Sequence, residues 1–292
     1  MRHLLRIADL SAEELRTILD LASGRARVLD SGQGIALYFE KPSARTRNSM
    51  ELAATQLGLH PVYLQPQELG LGTRESVPDV TRTLACYHRV IAARVFDHGL
   101  LEQMAAVGAA PVLNMLSGTD HPLQALADLK TIEELCGRIE GVRIAFVGDG
   151  DNNVARSLAE GCALLGAELT IAAPAAYQLN DAPAGVRQTE DPLEAVTGAN
   201  IVYSDVFISM GQDDQRERRL LELAGYQVDA ELMAHARDAH FLHCLPAHRG
   251  EEVTAEVIDG PRSAIWQQAI NRMHTARGAL LWLLDVPSSQ EF

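Results

Sequence analysis

The sequence lacks long hydrophobic runs and closely spaced cysteines. No run of about 18 apolar residues occurs, so no membrane span is expected. The opening stretch MRHLLRIADLSAEEL has no long apolar core followed by small residues, so no signal peptide is expected there. No C-x-x-C pair occurs among the cysteines, which are Cys86, Cys136, Cys162 and Cys244. The pattern predicts reduced thiols in a cytoplasmic protein rather than a disulfide framework or a zinc site.

Positive charge is also scarce. The chain has 25 Lys and Arg against 39 Asp and Glu, which gives a formal charge of −14 at pH 7. This balance argues against nucleic acid or an anionic membrane as the main partner. A small anionic substrate is still compatible with it, because a local basic pocket can exist within an acidic protein.

Nucleotide-binding signatures are missing or incomplete. No G-x-x-x-x-G-K-[ST] loop occurs. The glycine turn of VGDGDNNVARSL (Val147–Leu158) carries Asn153 where a dinucleotide fingerprint would have its third glycine, and no clear ribose-binding acid follows. An NAD-dependent oxidoreductase is therefore disfavoured, and no cofactor and no metal are expected. Two asparagines beside a helix start suit the amine or carboxylate of a small polar ligand better.

Short apolar runs alternate with segments of helical period, which predicts β-α-β units and parallel sheets. With 292 residues, two domains are expected. The predicted strands are residues 35–39, 61–65, 90–96, 111–116, 142–148, 168–173, 200–206 and 240–245.

We expect an α/β protein of two domains, each a parallel β-sheet flanked by helices. Residues 121–137 form a bridging helix, and a last helix over 263–284 returns to the first domain. The domain boundaries are predicted as 1–130 with 267–292, and 131–266. A cleft between the sheets, lined by loops at the carboxyl ends of strands, is the expected site.

The segment PSARTR (Pro42–Arg47) lies between a predicted strand and a predicted helix. The amino end of a helix presents free N–H groups and the positive end of the helix dipole. Ser43 and Thr46 add hydroxyl donors, and Arg45 adds a planar fork that matches phosphate oxygens. The segment therefore suggests an anion site, although on its own it is equally consistent with a helix cap and solvated arginines.

Four further segments carry polar groups at element ends. In HPLQ, His121 and Gln124 are three residues apart and can reach the same point, where a histidine can polarise a carbonyl. Asp205, in DVFISMG, can hold an ammonium group. Cys244, in HCLPAHRGEEV, is a candidate ligand contact, and Arg272, in NRMH, a candidate anion contact. Taken singly, the histidine and the aspartate also fit a helix cap or a turn, Cys244 fits a packed thiol, and Arg272 fits a surface arginine.

Together these segments resemble the aspartate/ornithine carbamoyltransferase family, and within it the ornithine-specific branch. The resemblance covers nearly the whole chain, with the matching stretches in family order: FEKPSARTR, HPLQALAD, GDGDNN, DVFISMG, HCLPAHRGEEV and NRMH.

The resemblance implies a set of site residues. It implies that carbamoyl phosphate is held by Ser43, Ala44, Arg45, Thr46, Arg94, His121, Gln124, Cys244, Leu245 and Arg272. It implies that ornithine is held by Asn153, Asp205, Ser209 and Met210, with Asn152 as a weaker alternative to Asn153. The catalytic residues it implies are Arg94, His121 and Cys244.

Three positions depart from the family pattern. Ala44 replaces a threonine, which matters little if that position acts through its backbone N–H. Gly70 stands where many members carry a glutamine or histidine that reaches a neighbouring subunit's site. Ile270 replaces a glutamate that commonly precedes the Asn-Arg pair.

The implied reaction moves the carbamoyl group of carbamoyl phosphate to the δ-amine of L-ornithine, giving L-citrulline and phosphate, and the implied assembly is a homotrimer or a multiple of trimers. Two alternatives stay open at this stage. One is a carbamoyltransferase for another amine, and the other is a non-catalytic anion-binding relative of the same fold.

Overall fold

The computed structural model describes residues 1–24, 28–29, 32–208 and 213–286. The chain forms two compact units, one of Met1–Ala127 with Asn271–Phe292 and the other of Asp128–Ile270. Each unit contains one parallel sheet flanked by helices, and the last helix returns the chain to the first unit. The predicted fold class is confirmed. In the part of the chain described, no helix combines the length and apolar character needed to cross a membrane.

The first unit has a four-stranded sheet of order β2-β1-β3-β4 within the described residues. Its strands are β1 (Gly34–Phe39), β2 (His60–Leu64), β3 (His88–Arg94) and β4 (Val112–Leu116). Its helices are α1 (Ala12–Ser23), α2 (Ala44–Gln56), α3 (Pro66–Leu69), α4 (Val77–Ala85) and α5 (His98–Val107). The central strand β1 is buried from Ile35 to Phe39, as expected for a parallel strand covered on both faces.

Two long helices contain the boundaries between the units. They are α6 (Pro122–Cys136) and α12 (Ile265–Leu283). Each begins in one unit and ends in the other, since the boundaries fall at Ala127/Asp128 and Ile270/Asn271.

The second unit has a five-stranded sheet of order β7-β6-β5-β8-β9 within the described residues. Its strands are β5 (Arg143–Val147), β6 (Glu168–Ala172), β7 (Arg187–Thr189), β8 (Ile201–Ser204) and β9 (His240–His243). Its helices are α7 (Asn153–Leu165), α8 (Pro192–Val196), α9 (Arg216–Leu223), α10 (Ala230–His235) and α11 (Ala255–Ile258). The strand order reverses between β5 and β8, and in open α/β sheets such a switch point is where ligands bind.

The structure departs from the predicted elements in two places. Strand β7 was not predicted, because its residues Arg-Gln-Thr form no apolar run and it lies at the sheet edge. The helical period of VPDVTRTLACYH predicts a helix over residues 77–88, but α4 ends at Ala85. His88 instead pairs with Gly34 in the parallel ladder, so tertiary pairing overrides the helical pattern there.

Candidate active site

In the first unit, the segment PSARTR leads into α2, which begins at Ala44. Ser43 is the N-cap residue, and its side-chain oxygen accepts the Thr46 N–H at 3.3 Å. Ser43 therefore caps the helix, as one of the two interpretations of this segment predicts. Because the side-chain oxygen of Ser43 acts as the acceptor in the cap, its hydroxyl hydrogen can still donate to another group. Ala44 and Arg45 are exposed in the first turn, where backbone N–H groups have no intrahelical acceptor. Loss of the threonine side chain at Ala44 leaves that backbone donor intact.

Two guanidinium groups converge on the hydroxyl of Thr46. Arg94 Nη1 donates to Thr46 Oγ1 at 3.5 Å, and Arg272 Nη2 donates to the same oxygen at 3.2 Å. Arg94 is the last residue of β3, whereas Arg272 belongs to α12. All three side chains are buried. The fold thus brings together residues that lie up to 226 positions apart in the chain.

The HPLQ segment lies in the same cluster. Gln124 Oε1 accepts a hydrogen bond from Arg272 Nη1 at 2.6 Å, and Gln124 is 1% exposed. His121 is 5% exposed. Burial lowers the pKa of His121 well below its usual value, and the positive charges of Arg272, Arg94 and Arg45 lower it further. At neutral pH the imidazole is therefore an uncharged hydrogen-bond donor surrounded by positive potential.

This pKa shift predicts a pH dependence of stability. Below pH 6.5 the unfolded chain protonates His121 while the folded chain does not. The contribution of His121 to the free energy of unfolding is therefore fully present above pH 6.5 and is lost as the pH falls toward the lowered folded pKa. Urea unfolding at several pH values between 5 and 7.5 should show a smaller loss on acidification for His121→Gln than for wild type. Parallel pH dependences for the two proteins would contradict this.

A hydrogen-bonded loop positions His121, and sequence reasoning missed it. Ser117 N–H donates to Asp120 O at 2.8 Å, and Asp120 N–H donates to Ser117 Oγ at 3.1 Å. His98 Nδ1 lies 2.8 Å from Ser117 Oγ, and Arg6 Nε lies 3.6 Å from Asp120 Oδ2. The turn-forming composition of Ser-Gly-Thr-Asp was the available signal.

In the second unit, Asp205 follows β8 and Cys244 follows β9. The two side chains are in contact, since Cys244 Sγ donates to Asp205 Oδ1 at 3.0 Å. Asp205 is 6% exposed, and the same oxygen accepts the Val206 N–H at 2.8 Å. The structure therefore places these two predicted residues together, with a carboxylate at the carboxyl end of the strand beside the switch point.

Asn152 and Asn153 have different positions at the start of α7. Asn152 is the N-cap residue, and its Oδ1 accepts the N–H groups of Val154 at 2.9 Å and Ala155 at 2.8 Å. Its Nδ2 donates to Asp149 O at 2.9 Å. Because both its side-chain oxygen and its nitrogen serve the cap, Asn152 stays the weaker alternative for a ligand contact. Ser209 and Met210, the other two predicted ornithine contacts, lie outside the described residues.

The backbone around Leu245 is held by a second set of contacts that sequence reasoning missed. Leu245 has a left-handed φ of 60° and precedes Pro246 through a cis peptide bond. Its N–H donates to His243 Nδ1 at 2.9 Å, so the proton of neutral His243 lies on Nε2. That nitrogen is 3.2 Å from Glu252 Oε1, and His243 N–H donates to Gln268 Oε1 at 2.9 Å. These contacts position the carboxyl end of β9, where Cys244 lies.

A buried ion pair fixes the loop after β5. Asp149, 2% exposed, pairs with Arg219 of α9, which also donates to Phe207 O at 2.7 Å. Burial raises the pKa of Asp149 to about 6, and the charge of Arg219 opposes that rise. Arg219 lies 4.7 Å from the centre of the Tyr177 ring. The loop that leads from β5 to Asn153, the first residue of α7, is thereby held against α9.

Two family profiles match the chain. Residues 2–134 match the carbamoyl-P binding domain of aspartate/ornithine carbamoyltransferase, and residues 140–284 match its Asp/Orn binding domain. An ornithine carbamoyltransferase of Hyperthermus butylicus is 46% identical over 305 aligned positions, covering 97% of both chains. One from Bacillus subtilis is 44% identical, covering 97% of this chain and 94% of that one.

Solved structures agree. The structure of an ornithine carbamoyltransferase from Pyrococcus furiosus has a TM-score of 0.92 at 41% identity, covering 98% of both chains. That from Thermus thermophilus has a TM-score of 0.89 at 44% identity, covering 97% of this chain and 98% of that one. The chain belongs to the aspartate/ornithine carbamoyltransferase family.

Proposed function

We propose that this protein transfers the carbamoyl group of carbamoyl phosphate to the δ-amine of L-ornithine, giving L-citrulline and phosphate. The observation that carries the proposal is the cluster in the first unit. Buried Arg94 and Arg272 meet at Thr46, beside an uncharged buried histidine. The names of the relatives at 41–46% identity support the choice of ornithine.

The phosphate of carbamoyl phosphate suits the first turn of α2 and the guanidinium groups. In the proposal, the hydroxyls of Ser43 and Thr46 donate to phosphate oxygens together with the first-turn N–H groups, including that of Ala44. Arg45 and Arg94 neutralise the charge that grows on phosphate as the carbon–oxygen bond breaks. These groups bind the phosphate more strongly in the transition state than in the intact acyl phosphate, which lowers the barrier.

The carbonyl oxygen of the carbamoyl group is assigned to His121 and Arg94, with the backbone at Cys244–Leu245 as a further contact. Gln124, oriented by Arg272, is assigned to the carbamoyl nitrogen. As the amine nitrogen forms its bond to the carbonyl carbon, negative charge develops on the carbonyl oxygen. An uncharged imidazole N–H stabilises that oxygen without adding a fourth positive charge beside the three arginines.

Ornithine must attack as a neutral amine, because a lysine-like ammonium has a pKa near 10 and no free electron pair. Asp205 and Cys244 are assigned to the δ-amine and its proton, and Asn153, Ser209 and Met210 to the rest of the amino acid. The 3.0 Å contact between Cys244 and Asp205 supports a shared role. The new carbon–nitrogen bond replaces the carbon–oxygen bond to phosphate, and the proton lost from the amine leaves with the released phosphate.

Asp205→Asn should raise KM for ornithine by about 10- to 100-fold, because a hydrogen bond to a charged group contributes about 1.5–3 kcal/mol. The affinity for carbamoyl phosphate should stay within about threefold. Asp229→Asn is the matched control, because Asp229 caps α10 and asparagine caps a helix equally well. Steady-state kinetics with each substrate varied in turn provide the measurement. An unchanged ornithine KM in Asp205→Asn would remove this residue from the site.

A colorimetric citrulline assay tests the overall proposal. Purified protein with carbamoyl phosphate and L-ornithine should form citrulline and phosphate in equal amounts. A panel of other amines, including acylated ornithines, should react far more slowly. Faster reaction with another amine would redirect the proposal to that acceptor. Binding of the phosphate compound without turnover of any amine would point to a non-catalytic relative.

We also propose a homotrimer or a multiple of trimers in the cytoplasm, as the resemblance implies. Light scattering coupled to gel filtration should give a mass near three times 31.7 kDa or a multiple of that. A monomer would contradict the assembly.

A further inference from the structure

The segment after β9 contains a cluster that the proposed reaction does not use. His248, Glu251 and Glu252 each offer one ligand atom, and these atoms lie within 4.8 Å of one another. His248 Nδ1 lies 3.8 Å from Glu252 Oε2 and 3.9 Å from Glu251 Oε2. All three atoms are shielded from solvent, and none has a hydrogen-bond partner among the described residues.

The other oxygen of each carboxylate is already bound. Glu252 Oε1 accepts the His248 N–H at 2.5 Å and faces His243 Nε2 at 3.2 Å. The Oε1 atom of Glu251 pairs with Arg216. Each glutamate is thus oriented so that its second oxygen faces the imidazole. Metal sites show this pattern, because contacts to one atom of a ligand orient the atom that binds the ion.

The distances favour an ion over direct pairing. A protonated His248 would approach a carboxylate to about 2.7–2.9 Å, well short of the 3.8 Å separation from Glu252. Ligands about 2 Å from a tetrahedral ion lie roughly 3.3 Å apart, so the two separations from His248 Nδ1 would each have to shorten by about half an ångström on binding. Glu252 has a side-chain exposure of 0%, and an unpaired oxygen is costly at that depth.

The charges around the cluster also favour a bound cation. Two carboxylates and Arg216 give a net charge of −1 before His248 is counted. A divalent cation binds such a set through one imidazole nitrogen and two carboxylate oxygens. Although its Nδ1 is shielded, the His248 side chain as a whole is 41% exposed, so the cluster lies close to the protein surface.

We propose that His248, Glu251 and Glu252 form a binding site for a divalent transition-metal ion, with zinc as the ion that suits this mixture of nitrogen and oxygen ligands. The ion would tie the loop of residues 248–252 to the carboxyl end of β9 through Glu252 and His243. It would therefore stabilise the loop without contacting substrate.

A neighbouring group of possible ligands fits an ion less well. Asp205, His243 and Cys244 also lie close together. However, the Cys244 thiol donates to Asp205, and His243 Nδ1 accepts the Leu245 N–H. Those ligand atoms are already engaged within the protein.

Calorimetric titration of the metal-free full-length protein with Zn²⁺ tests the proposal. We expect one ion per chain in wild type, and an affinity at least 100-fold weaker in His248→Ala. Glu251→Gln, which keeps the side-chain shape, should weaken binding at least tenfold. Two controls should retain wild-type affinity: His235→Ala, an exposed histidine at the end of α10, and Cys244→Ala.

Cobalt provides an independent readout, since Co²⁺ bound through nitrogen and oxygen lacks the near-ultraviolet band that a thiolate ligand produces. Absence of zinc binding in wild type would overturn the proposal, as would a thiolate band in the cobalt complex. Loss of zinc binding in Cys244→Ala would also overturn the proposal. So would wild-type zinc binding in both His248→Ala and Glu251→Gln. Circular dichroism checks that each variant is folded. If His248→Ala does not fold, the zinc affinity of Glu251→Gln alone tests the proposed site.

Discussion

Replacing His121 with leucine is expected to lower kcat by about 10²–10³-fold, equivalent to about 2.7–4 kcal/mol, the usual effect of removing one donor to a developing oxyanion. Burial, and after it the charges of three neighbouring arginines, lowers the pKa of His121 and keeps it uncharged, so its N–H is a preorganised donor. Because ground-state binding depends mainly on the phosphate contacts, KM for carbamoyl phosphate should change by less than about fivefold. Steady-state kinetics at saturating ornithine separate the two effects.

A conservative variant distinguishes hydrogen bonding from packing. His121→Gln retains an N–H donor and should recover at least tenfold of the activity lost in His121→Leu. His88→Leu is the matched control, since His88 is a partly buried histidine at the opposite end of the same sheet. Equal losses in the leucine and glutamine variants would show that the role of His121 is structural.

Arg94→Met is expected to lower kcat/KM for carbamoyl phosphate by about 10²–10³-fold, which corresponds to about 3–4 kcal/mol. Arg94 ends β3 and donates to Thr46, which also accepts from Arg272, so its guanidinium is fixed before substrate arrives. Loss of a buried charge-assisted contact to a phosphate dianion affects binding and bond breaking together. The fall should therefore appear in both kcat and KM.

Arg89→Met is the matched control for this prediction. Arg89 belongs to the same strand but is exposed near its other end, where it donates to Gln33 Oε1 at 2.8 Å. Its removal should change kcat/KM by less than twofold. Similar losses in the two variants would mean that general charge, and not the Thr46 cluster, attracts the substrate.

The strands were predictable because most are continuous apolar runs, and their observed ends differ from the predicted ones by at most two residues. Strand β7 lacks that signal, since its three polar residues join the sheet only through pairing with β6. The end of α4 was missed for a related reason, because His88 follows the register of β1 and not the local helical period.

The candidate site was predictable in its residues and less so in its contacts. The position of Ser43 before a helix predicts a cap, and the spacing of His121 and Gln124 predicts a shared location. No local pattern shows that Thr46 accepts from both Arg94 and Arg272, because the three lie on different elements. The contact between His243 and Glu252 was not predictable either, because the two residues are nine positions apart and no local pattern joins them.

The assignment of ornithine depends on a different kind of information. Charge, burial and hydrogen bonding in the described residues place two buried arginines near an uncharged histidine in the first unit, and a carboxylate beside a thiol in the second. These features fit several amine acceptors. The order of six motifs and the identity to named relatives narrow the choice.

The central claim is that the arginine-rich pocket of the first unit binds an acyl phosphate. Isothermal titration calorimetry of the full-length protein with a non-hydrolysable phosphonate analogue of carbamoyl phosphate, without ornithine, tests it most directly. We expect saturable binding of one analogue per chain, with an affinity that falls as the salt concentration rises. Absence of binding heat across a range of temperatures, with the protein shown to be folded, would contradict it.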